Sequence, residues 1–339
     1  MNDFVSKLFN TDIKVIAEIG VNHEGDVEVA ANIIKALSGS GAAAVKFQSY
    51  TPERFVSASD PEKLARAESF SLSLNEHKFL RECARKAGLA FISTPCSEDW
   101  VEKLVGICDA IKIASGDINF QPTIKLAAQS GLPVIMSTGA ANTKEVDEAV
   151  SLFKSCCGSS NLKNALLLMH CVSEYPASLE GSNMLSIPFM MERYGLKVGW
   201  SNHVIGSHAC YTAVALGADV IEVHVTNNKC GRQFRDHALS FEPHEIRNLV
   251  NDLKSISNGL GDYDKMPTNS ETKNIDLIRK GLIYSRSLDI GEELTSSDIQ
   301  FARPATHFSS SQIKDVLGLK LTKSVKIGHS IRADDFDIK

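Results

Sequence analysis

Several features that would assign a class at once are missing from the sequence. No apolar run approaches the roughly 20 residues that span a bilayer. Residues 1–10 mix Asp3 and Lys7 with short apolar pairs and lack the apolar core of a secretory leader, so a cytoplasmic protein is expected. The eight cysteines include no CxxC pair, which argues against a disulfide framework or a zinc ribbon and for reduced thiols. A formal net charge of -5 gives no global attraction to nucleic acid or to a membrane surface. An anionic substrate therefore requires a local cationic pocket. No repeat of solenoid length and no low-complexity tract occurs, and no GxGxxG loop follows the first strand pattern.

What is present is an alternation. Short runs rich in Val and Ile fall at 14–20, 43–49, 89–95, 110–116, 132–139, 164–171, 196–203 and 219–226. Most are nearly continuous in apolar residues, as strands buried on both faces should be. Amphipathic helix patterns fill the gaps at 27–38, 74–87, 98–105, 122–129, 143–156, 182–194 and 207–216, and 242–258 supplies an eighth. Gly88, Gly131, Gly195 and Gly217 follow helix patterns where terminators are expected. Eight consecutive β/α units predict a TIM (β/α)8 barrel, in the α/β class, over residues 1–258. Residues 259–279, with Gly259, Gly261, Asp262, Asp264 and Pro267, read as a linker. Residues 280–339 read as a small β-rich domain.

The polar residues of the strand patterns support the barrel. Glu18, Lys46 with Gln48, Thr94, Lys112 with Ser115, Ser137 with Thr138, His170, His203, and Glu222 with His224 all fall at the C-terminal ends. In a TIM barrel that end carries the active site. A lysine inside an apolar strand is costly unless it meets an anion. Lys46 and Lys112, with hydroxyls at Thr94, Ser115, Ser137 and Thr138, predict a pocket for phosphate or carboxylate; pairing with internal acids such as Glu18 or Glu222 is the alternative. His203 and His224 end the seventh and eighth strands and are therefore spatial neighbours. With Glu18, Glu222 and Asp236 nearby in the fold, they predict an oxygen-rich divalent metal site rather than structural zinc. Asn22 and His23, in Val21-Asn22-His23-Glu24-Gly25, suit either a polar turn or a substrate contact. Tyr175-Pro176 suits either a shaped loop or a sugar-contacting tyrosine. Cys96 and Cys171, at strand ends, are placed to approach the pocket.

In combination these motifs resemble the bacterial sialic acid synthases and their legionaminic and pseudaminic acid relatives. The resemblance rests on Ala17-Glu18-Ile19-Gly20-Val21-Asn22-His23-Glu24-Gly25, Val45-Lys46-Phe47-Gln48, Ser93-Thr94-Pro95, Lys112-Ile113-Ala114-Ser115-Gly116, Ser137-Thr138-Gly139, His170-Cys171 and Glu222-Val223-His224. Ala302-Arg303-Pro304 and Leu317-Gly318 resemble the antifreeze-like (SAF) domain of that family. The resemblance implies condensation of phosphoenolpyruvate with an N-acylated amino-sugar aldehyde and water to a nine-carbon 2-keto-3-deoxy acid. It implies that Lys46, Thr94, Lys112, Ser115 and Ser137 hold phosphoenolpyruvate, and that His203 and His224 hold a divalent metal, Mn2+ with Mg2+ or Co2+ as alternatives. Glu18 and Asp236 are implied in sugar or metal-water contacts, Tyr175 in the sugar pocket, and Asp117 as a candidate proton carrier. A domain-swapped homodimer is implied, with Arg303 entering the partner's site.

Four positions depart from the family pattern: Asp117 for Glu, Asn202 for Asp, Ser173 for Asn or Thr, and Arg232-Gln233-Phe234-Arg235 before Asp236. They point to retained chemistry on an unusual acceptor, with Ser173-Glu174-Tyr175-Pro176 and Phe47-Gln48-Ser49 leaning towards the legionaminic branch. Two alternatives compete: a related 3-deoxy-ulosonate synthase using a phosphorylated aldose, and a non-catalytic sugar-binding barrel.

Overall fold

The computed structural model describes residues 8–158, 162–232 and 234–337. It separates into two compact units, residues 1–261 and 262–339. In the first, eight parallel strands close a barrel in sequential order: β1 Lys14–Gly20, β2 Ala44–Ser49, β3 Ala90–Pro95, β4 Ala110–Ile113, β5 Val134–Ser137, β6 Leu166–Cys171, β7 Val198–Asn202 and β8 Val220–His224. The intervening helices are α1 Val27–Ala36, α2 Pro52–Phe55, α3 Pro61–Phe70, α4 Leu74–Lys86, α5 Val101–Val105, α6 Gln121–Gln129, α7 Thr143–Cys156, α8 Ser186–Tyr194 and α9 His208–Ala215. After β8 come α10 Asp236–Leu239 and α11 Pro243–Leu260.

Alternation along the strands separates two cores. One face contributes Val45, Phe47, Phe91, Ile111, Ile113, Met136, Leu168, Trp200 and Val223 to the large layer against the helices. The other contributes Ile16, Ala44, Ala90, Ile92, Ala110, Ile135, Leu167, Met169 and Val220 to a smaller cluster within the barrel. Because side chains two residues apart share a strand face, the interior apolar residues of six strands are followed by a polar one nearer the C-terminal end. Ile16 leads to Glu18, Ala44 to Lys46, Ile92 to Thr94, Ala110 to Lys112, Ile135 to Ser137 and Val220 to Glu222. The barrel is thus apolar below and polar above. His170 has the opposite parity and faces outward, its Nε2 bonded to the Ser182 carbonyl at 2.7 Å. It does not join the other strand-end groups in the barrel interior.

Helix ends follow their capping residues. Ser73 and Glu76 form a reciprocal capping box on α4, and Asn142 with Glu145 does the same on α7. The helices α2, α3 and α10, which the apolar periodicity did not single out, contribute Phe55, Lys63, Arg66 and Asp236 to the wall at the active end. Asp60 caps α3 and Pro61 opens it, a start signal legible in the chain.

The second unit begins within the segment expected to be a linker, and residues 269–278 of that segment are helical rather than extended. It comprises α12 Asn269–Ile278, an antiparallel pair β9 Gly281–Tyr284 and β10 Ile299–Ala302, and α13 Ile313–Val316. Leu282, Tyr284, Leu288, Leu294, Val316, Leu321 and Ile331 form its own core. The buried Tyr284 hydroxyl donates to Asp335 at 2.8 Å, so this polar tip is satisfied inside a small apolar cluster.

Gly199 sits where β7 meets β8 and Met169 without room for a side chain. A Cβ there would lie 2.5 Å from the Val220 carbonyl oxygen and 3.1 Å from the Met169 methyl. Gly199→Ala is expected to cost about 1–3 kcal/mol through overpacking, read as a lowered unfolding temperature in thermal denaturation.

Candidate active site

The strand ends open into a cavity of about 810 Å³. On its floor stand two lysines and two glutamates, all nearly inaccessible to solvent. Register places Glu18 beside Lys46 on one side and beside His224 on the other. Lys46 forms an ion pair with Glu18 and lies 3.6 Å from Glu222. Lys112 lies 3.6 Å from Glu222 and donates to the Ser137 hydroxyl at 2.6 Å. Lys46 also donates to Thr94 at 3.4 Å, and the Ser201 hydroxyl donates to Glu222 at 3.1 Å. The lysines meet internal acids and also line an open cavity.

The charge states follow from placement. Burial raises Glu18 to about 7 despite the pull of Lys46. Burial also opposes ionisation of Glu222, but Lys112 and Lys46 flank it and hold it down at about 2. Lys112 is lowered by burial, partly offset by Glu222. An anionic ligand approaching both ammonium groups competes with Glu18 and Glu222 for them, and Glu18 is the carboxyl that can take up a proton near neutrality.

The opposite wall is aromatic and imidazole. His203 and His224 have ring centroids 5.4 Å apart, and the Tyr175 ring lies 4.1 Å from that of His203. His203 donates from Nδ1 to the Val172 carbonyl at 2.6 Å, which leaves Nε2 as a lone-pair donor. Burial lowers the pKa of His203, and lowers that of His224 further with the help of His203. Both rings are neutral. His224 Nδ1 and Asp236 Oδ1 are buried without hydrogen-bond partners, and Asp236 Oδ2 lies 3.7 Å from His224 Nδ1. Neutral imidazole nitrogens beside an orphaned carboxylate oxygen fit a hard divalent cation. Among the described residues no group of three or more His, Cys, Asp or Glu stands ready to hold a metal. The two imidazoles are the protein's candidate ligands.

Of the other predicted residues, Thr94, Ser115, Ser137, Tyr175 and Asp236 line the cavity, whereas Asn22, His23 and Asp117 do not. Asn22 instead spans the barrel seam, donating to the Val225 carbonyl at 2.9 Å and to Ser240 at 3.0 Å; Ser240 in turn donates to the Asp236 carbonyl at 2.6 Å. His23 Nδ1 accepts from the Gly25 amide at 3.0 Å, and burial lowers the ring to about 4. Glu24 meets Arg232 at 2.7 Å and His237 at 3.4 Å. The Asn-His-Glu-Gly turn therefore braces the segment that carries Asp236, and in this arrangement Asn22 and His23 form a polar turn outside the cavity lining. Asp117 lies half-buried in the turn beyond Ser115, its carboxyl raised by burial to about 6. Arg303 is exposed at the end of β10 in the second unit.

Asn202 is consumed locally. It accepts from the Trp200 indole at 3.1 Å and donates to the Val204 carbonyl at 2.8 Å, a donation that an aspartate could not make. Ser173 lines the cavity, as do Cys96 and Cys171, and all eight cysteines are free thiols. Gln233 lies outside the described residues. Sequence reasoning missed the face of α3. Lys63, Arg66, Ala67 and Phe70, spaced i, i+3, i+4, i+7, all line the cavity.

A closed parallel barrel with charged, imidazole and hydroxyl groups gathered at its C-terminal end has the architecture of a TIM-barrel enzyme. The NeuB family matches residues 32–265 and the SAF domain residues 279–337, and the chain belongs to the NeuB family of sialic-acid-type synthases. An uncharacterized protein of Methanocaldococcus jannaschii is 37% identical over 95% of this chain and 94% of its own length. The N,N'-diacetyllegionaminic acid synthase of Campylobacter jejuni is 34% identical over 94% of this chain and 98% of its own. A crystal structure of the N-acetylneuraminic acid (sialic acid) synthetase from Leptospira borgpetersenii, in complex with citrate, is 33% identical with a TM-score of 0.73. It covers 78% of this chain and 91% of that one. No helix among the described residues is long and apolar enough to cross a membrane.

Asp117 supplies a pH test. Its folded pKa, about 6, stands above the ordinary value of 3.8. The folded state thus binds more protons, and stability contributed by the protonated carboxyl is lost as pH rises from about 4 through 6. Asp117→Asn is expected to flatten that decline and leave the variant about 1–2 kcal/mol more stable than the parent at pH 7.5, after allowance for partial solvent contact. Denaturant titrations at pH 4.5 and 7.5 measure it.

Proposed function

We propose that the enzyme condenses phosphoenolpyruvate with the open-chain aldehyde of an N-acylated amino sugar and water, giving a nine-carbon 2-keto-3-deoxy acid and inorganic phosphate. The observation that carries this reading is the pairing of Lys46 and Lys112 with His203 and His224 across one cavity. Two ammonium groups suit a substrate bearing both phosphate and carboxylate, and two neutral imidazoles suit activation of a carbonyl.

Lys46 and Lys112 bind the phosphate and carboxylate, with Thr94, Ser115 and Ser137 donating hydroxyl hydrogen bonds that set the enol plane. A divalent ion held by His203 and His224, Mn2+ with Mg2+ or Co2+ as alternatives, supplies Lewis-acid polarisation of the aldehyde. Tyr175 and Asp236 orient the sugar so that its aldehyde carbon faces C3 of phosphoenolpyruvate. The C3–C bond forms as the enol π pair moves to that carbon and the aldehyde C=O pair moves to its oxygen, which takes a proton to become the new hydroxyl; the positive character left on C2 is captured by water. Glu18 takes the water proton, with Asp117 as the alternative acceptor. The C2 hydroxyl then gives up its proton to the departing phosphate as the C–O bond breaks, leaving the 2-keto group, and Lys46 and Lys112 stabilise the charge on that phosphate.

The acceptor proposed is N-acetylmannosamine or a 2,4-diacetamido-6-deoxyhexose. Ser173-Glu174-Tyr175-Pro176 and the similarity to a legionaminic acid synthase favour the second. The proposed working form is a cytoplasmic, domain-swapped homodimer in which the exposed Arg303 of one subunit enters the cavity of the other.

The direct test is phosphate release from phosphoenolpyruvate with Mn2+ across N-acetylmannosamine, 2,4-diacetamido-6-deoxyhexoses and phosphorylated pentoses. Release requiring both metal and an amino sugar is expected; release with phosphorylated pentoses alone would establish the shorter-sugar alternative. Lys112→Ala is expected to reduce kcat/KM at least roughly a hundredfold while the circular dichroism spectrum is unchanged. Arg303→Ala is expected to raise KM with no change in the unfolding temperature of the barrel, and unchanged kinetics would remove Arg303 from the site.

A further inference from the structure

We propose that His77 is a positioning residue for the phosphoenolpyruvate floor: with Ser49 and Ser93 it forms a hydrogen-bond chain on the outer face of the barrel that fixes the ends of β2 and β3, and with them Lys46, Gln48 and Thr94. This rests on the synthase reading above and adds to it a group that sets the geometry of the floor from outside the cavity.

The two strands present different residues to their two faces. Lys46, Gln48 and Thr94 line the cavity, and register pairs Gln48 with Thr94. Ser49 and Ser93 stand one residue away from them and so point outward, towards the helices. There they meet His77 of α4. The Ser49 hydroxyl lies 2.7 Å from His77 Nε2 and 2.5 Å from the Ser93 hydroxyl, and His77 Nδ1 lies 3.0 Å from the Ser73 carbonyl. Ser49, His77 and Ser93 are all buried.

The protons of this chain have one consistent arrangement. The Ser73 carbonyl can only accept, so Nδ1 carries the hydrogen. Burial lowers the pKa of His77 and keeps the ring neutral, which leaves Nε2 a lone pair to accept from Ser49. Ser49 has then used its proton, so the short contact with Ser93 is a donation from Ser93; the Phe47 carbonyl, at 3.2 Å, is the longer partner of that hydroxyl. Donations running from Ser93 to Ser49, to His77 and to the Ser73 carbonyl point one way and reinforce one another. The imidazole is also held by rings, with centroids 5.0 Å from Trp100 and 6.5 Å from Phe91.

The strand ends need such a tie. β3 pairs with β2 at six positions, the last being Ser49 with Pro95, but with β4 at two, the last being Ser93 with Ile111. Thr94 therefore stands beyond the β4 pairing, with a partner strand on the β2 side. Lys46, which donates to Thr94 at 3.4 Å, follows any movement of that end. The imidazole wall belongs to β7 and β8, which pair with neither strand.

The test combines steady-state kinetics, with Mn2+ and the amino sugar that the parent turns over, and calorimetric titration with phosphoenolpyruvate. Ser49→Ala removes one hydroxyl at nearly constant volume, and Ser93→Ala does the same. Each is expected to raise KM and Kd for phosphoenolpyruvate roughly fivefold, the loss of about one buried hydrogen bond, with KM for the amino sugar within about twofold of the parent. Two substitutions of the imidazole separate bonding from packing. A glutamine amide reaches the position of Nε2 and can accept from Ser49, whereas an asparagine amide reaches only that of Nδ1. His77→Gln is therefore expected to keep KM for phosphoenolpyruvate near the parent value, and His77→Asn to raise it as Ser49→Ala does. Serine variants with a lowered unfolding temperature but parental KM and Kd for phosphoenolpyruvate would overturn the inference, and phosphate release by the parent would leave the synthase reading standing. Equal rises in both KM values, or equal behaviour of the glutamine and asparagine variants, would overturn it as well. A parent that neither binds phosphoenolpyruvate nor releases phosphate with any amino sugar would remove both.

Discussion

Lys46 and Lys112 are carried into the barrel on strands whose other interior residues are apolar, and ammonium groups placed there must be answered by negative charge. Glu18 and Glu222 answer them, at ion-pair distance and almost wholly out of water. Such an arrangement adds little to stability, because desolvation of four charges offsets most of their attraction. Its consequence is chemical. Burial raises Glu18 towards neutrality while Lys112 and Lys46 hold Glu222 low, so the two carboxyls of the floor titrate apart.

The rest of the molecule is organised around keeping that network in place. The lower barrel is filled by Ile16, Ile92, Ile135, Leu167 and Met169, which excludes water beneath the charges. Helices packed on the outer face hold the strand registers that set Glu18 between Lys46 and His224. The turn after β1 serves the same end by a different route. Asn22 and Glu24 tie the seam between the first and last strands to the segment bearing Asp236 and Arg235. The imidazole wall is therefore anchored to the seam beside the lysine floor through side chains that do not line the cavity.

Departures from the family pattern separate into two kinds once the contacts are known. Asn202 is a closed matter of loop geometry, its amide spent on Trp200 and Val204. Phe234 and Arg235 are different, since both face the cavity. They replace a compact approach to Asp236 with a ring that docks on α3 and a guanidinium that stacks on Tyr175. The chemistry-bearing floor is held by internal charge balance and tolerates little change. The rim around Asp236 is held instead by the packing of Phe234 on Phe70 and of Arg235 on Tyr175.

The sequence alone determined the barrel, its polar end and the residues of the floor. These rest on local pattern: apolar strand runs, helix periodicity, and lysines or histidines where an apolar strand has no structural use for them. The second domain was legible for the same reason, although its opening helix, residues 269–278, was hidden in a segment rich in turn residues. What only the tertiary structure decided depends on groups distant in the chain meeting one another. That His170 faces away from the barrel interior follows from a strand parity that continuous apolar runs do not reveal. That Asn22 braces rather than binds follows from Val225 and Ser240, some two hundred residues away, standing at its amide. That α3 forms a wall of the cavity follows from Phe70 meeting Phe234. Short-range periodicity specifies which face a side chain occupies; only the closed barrel specifies which side chain it meets there.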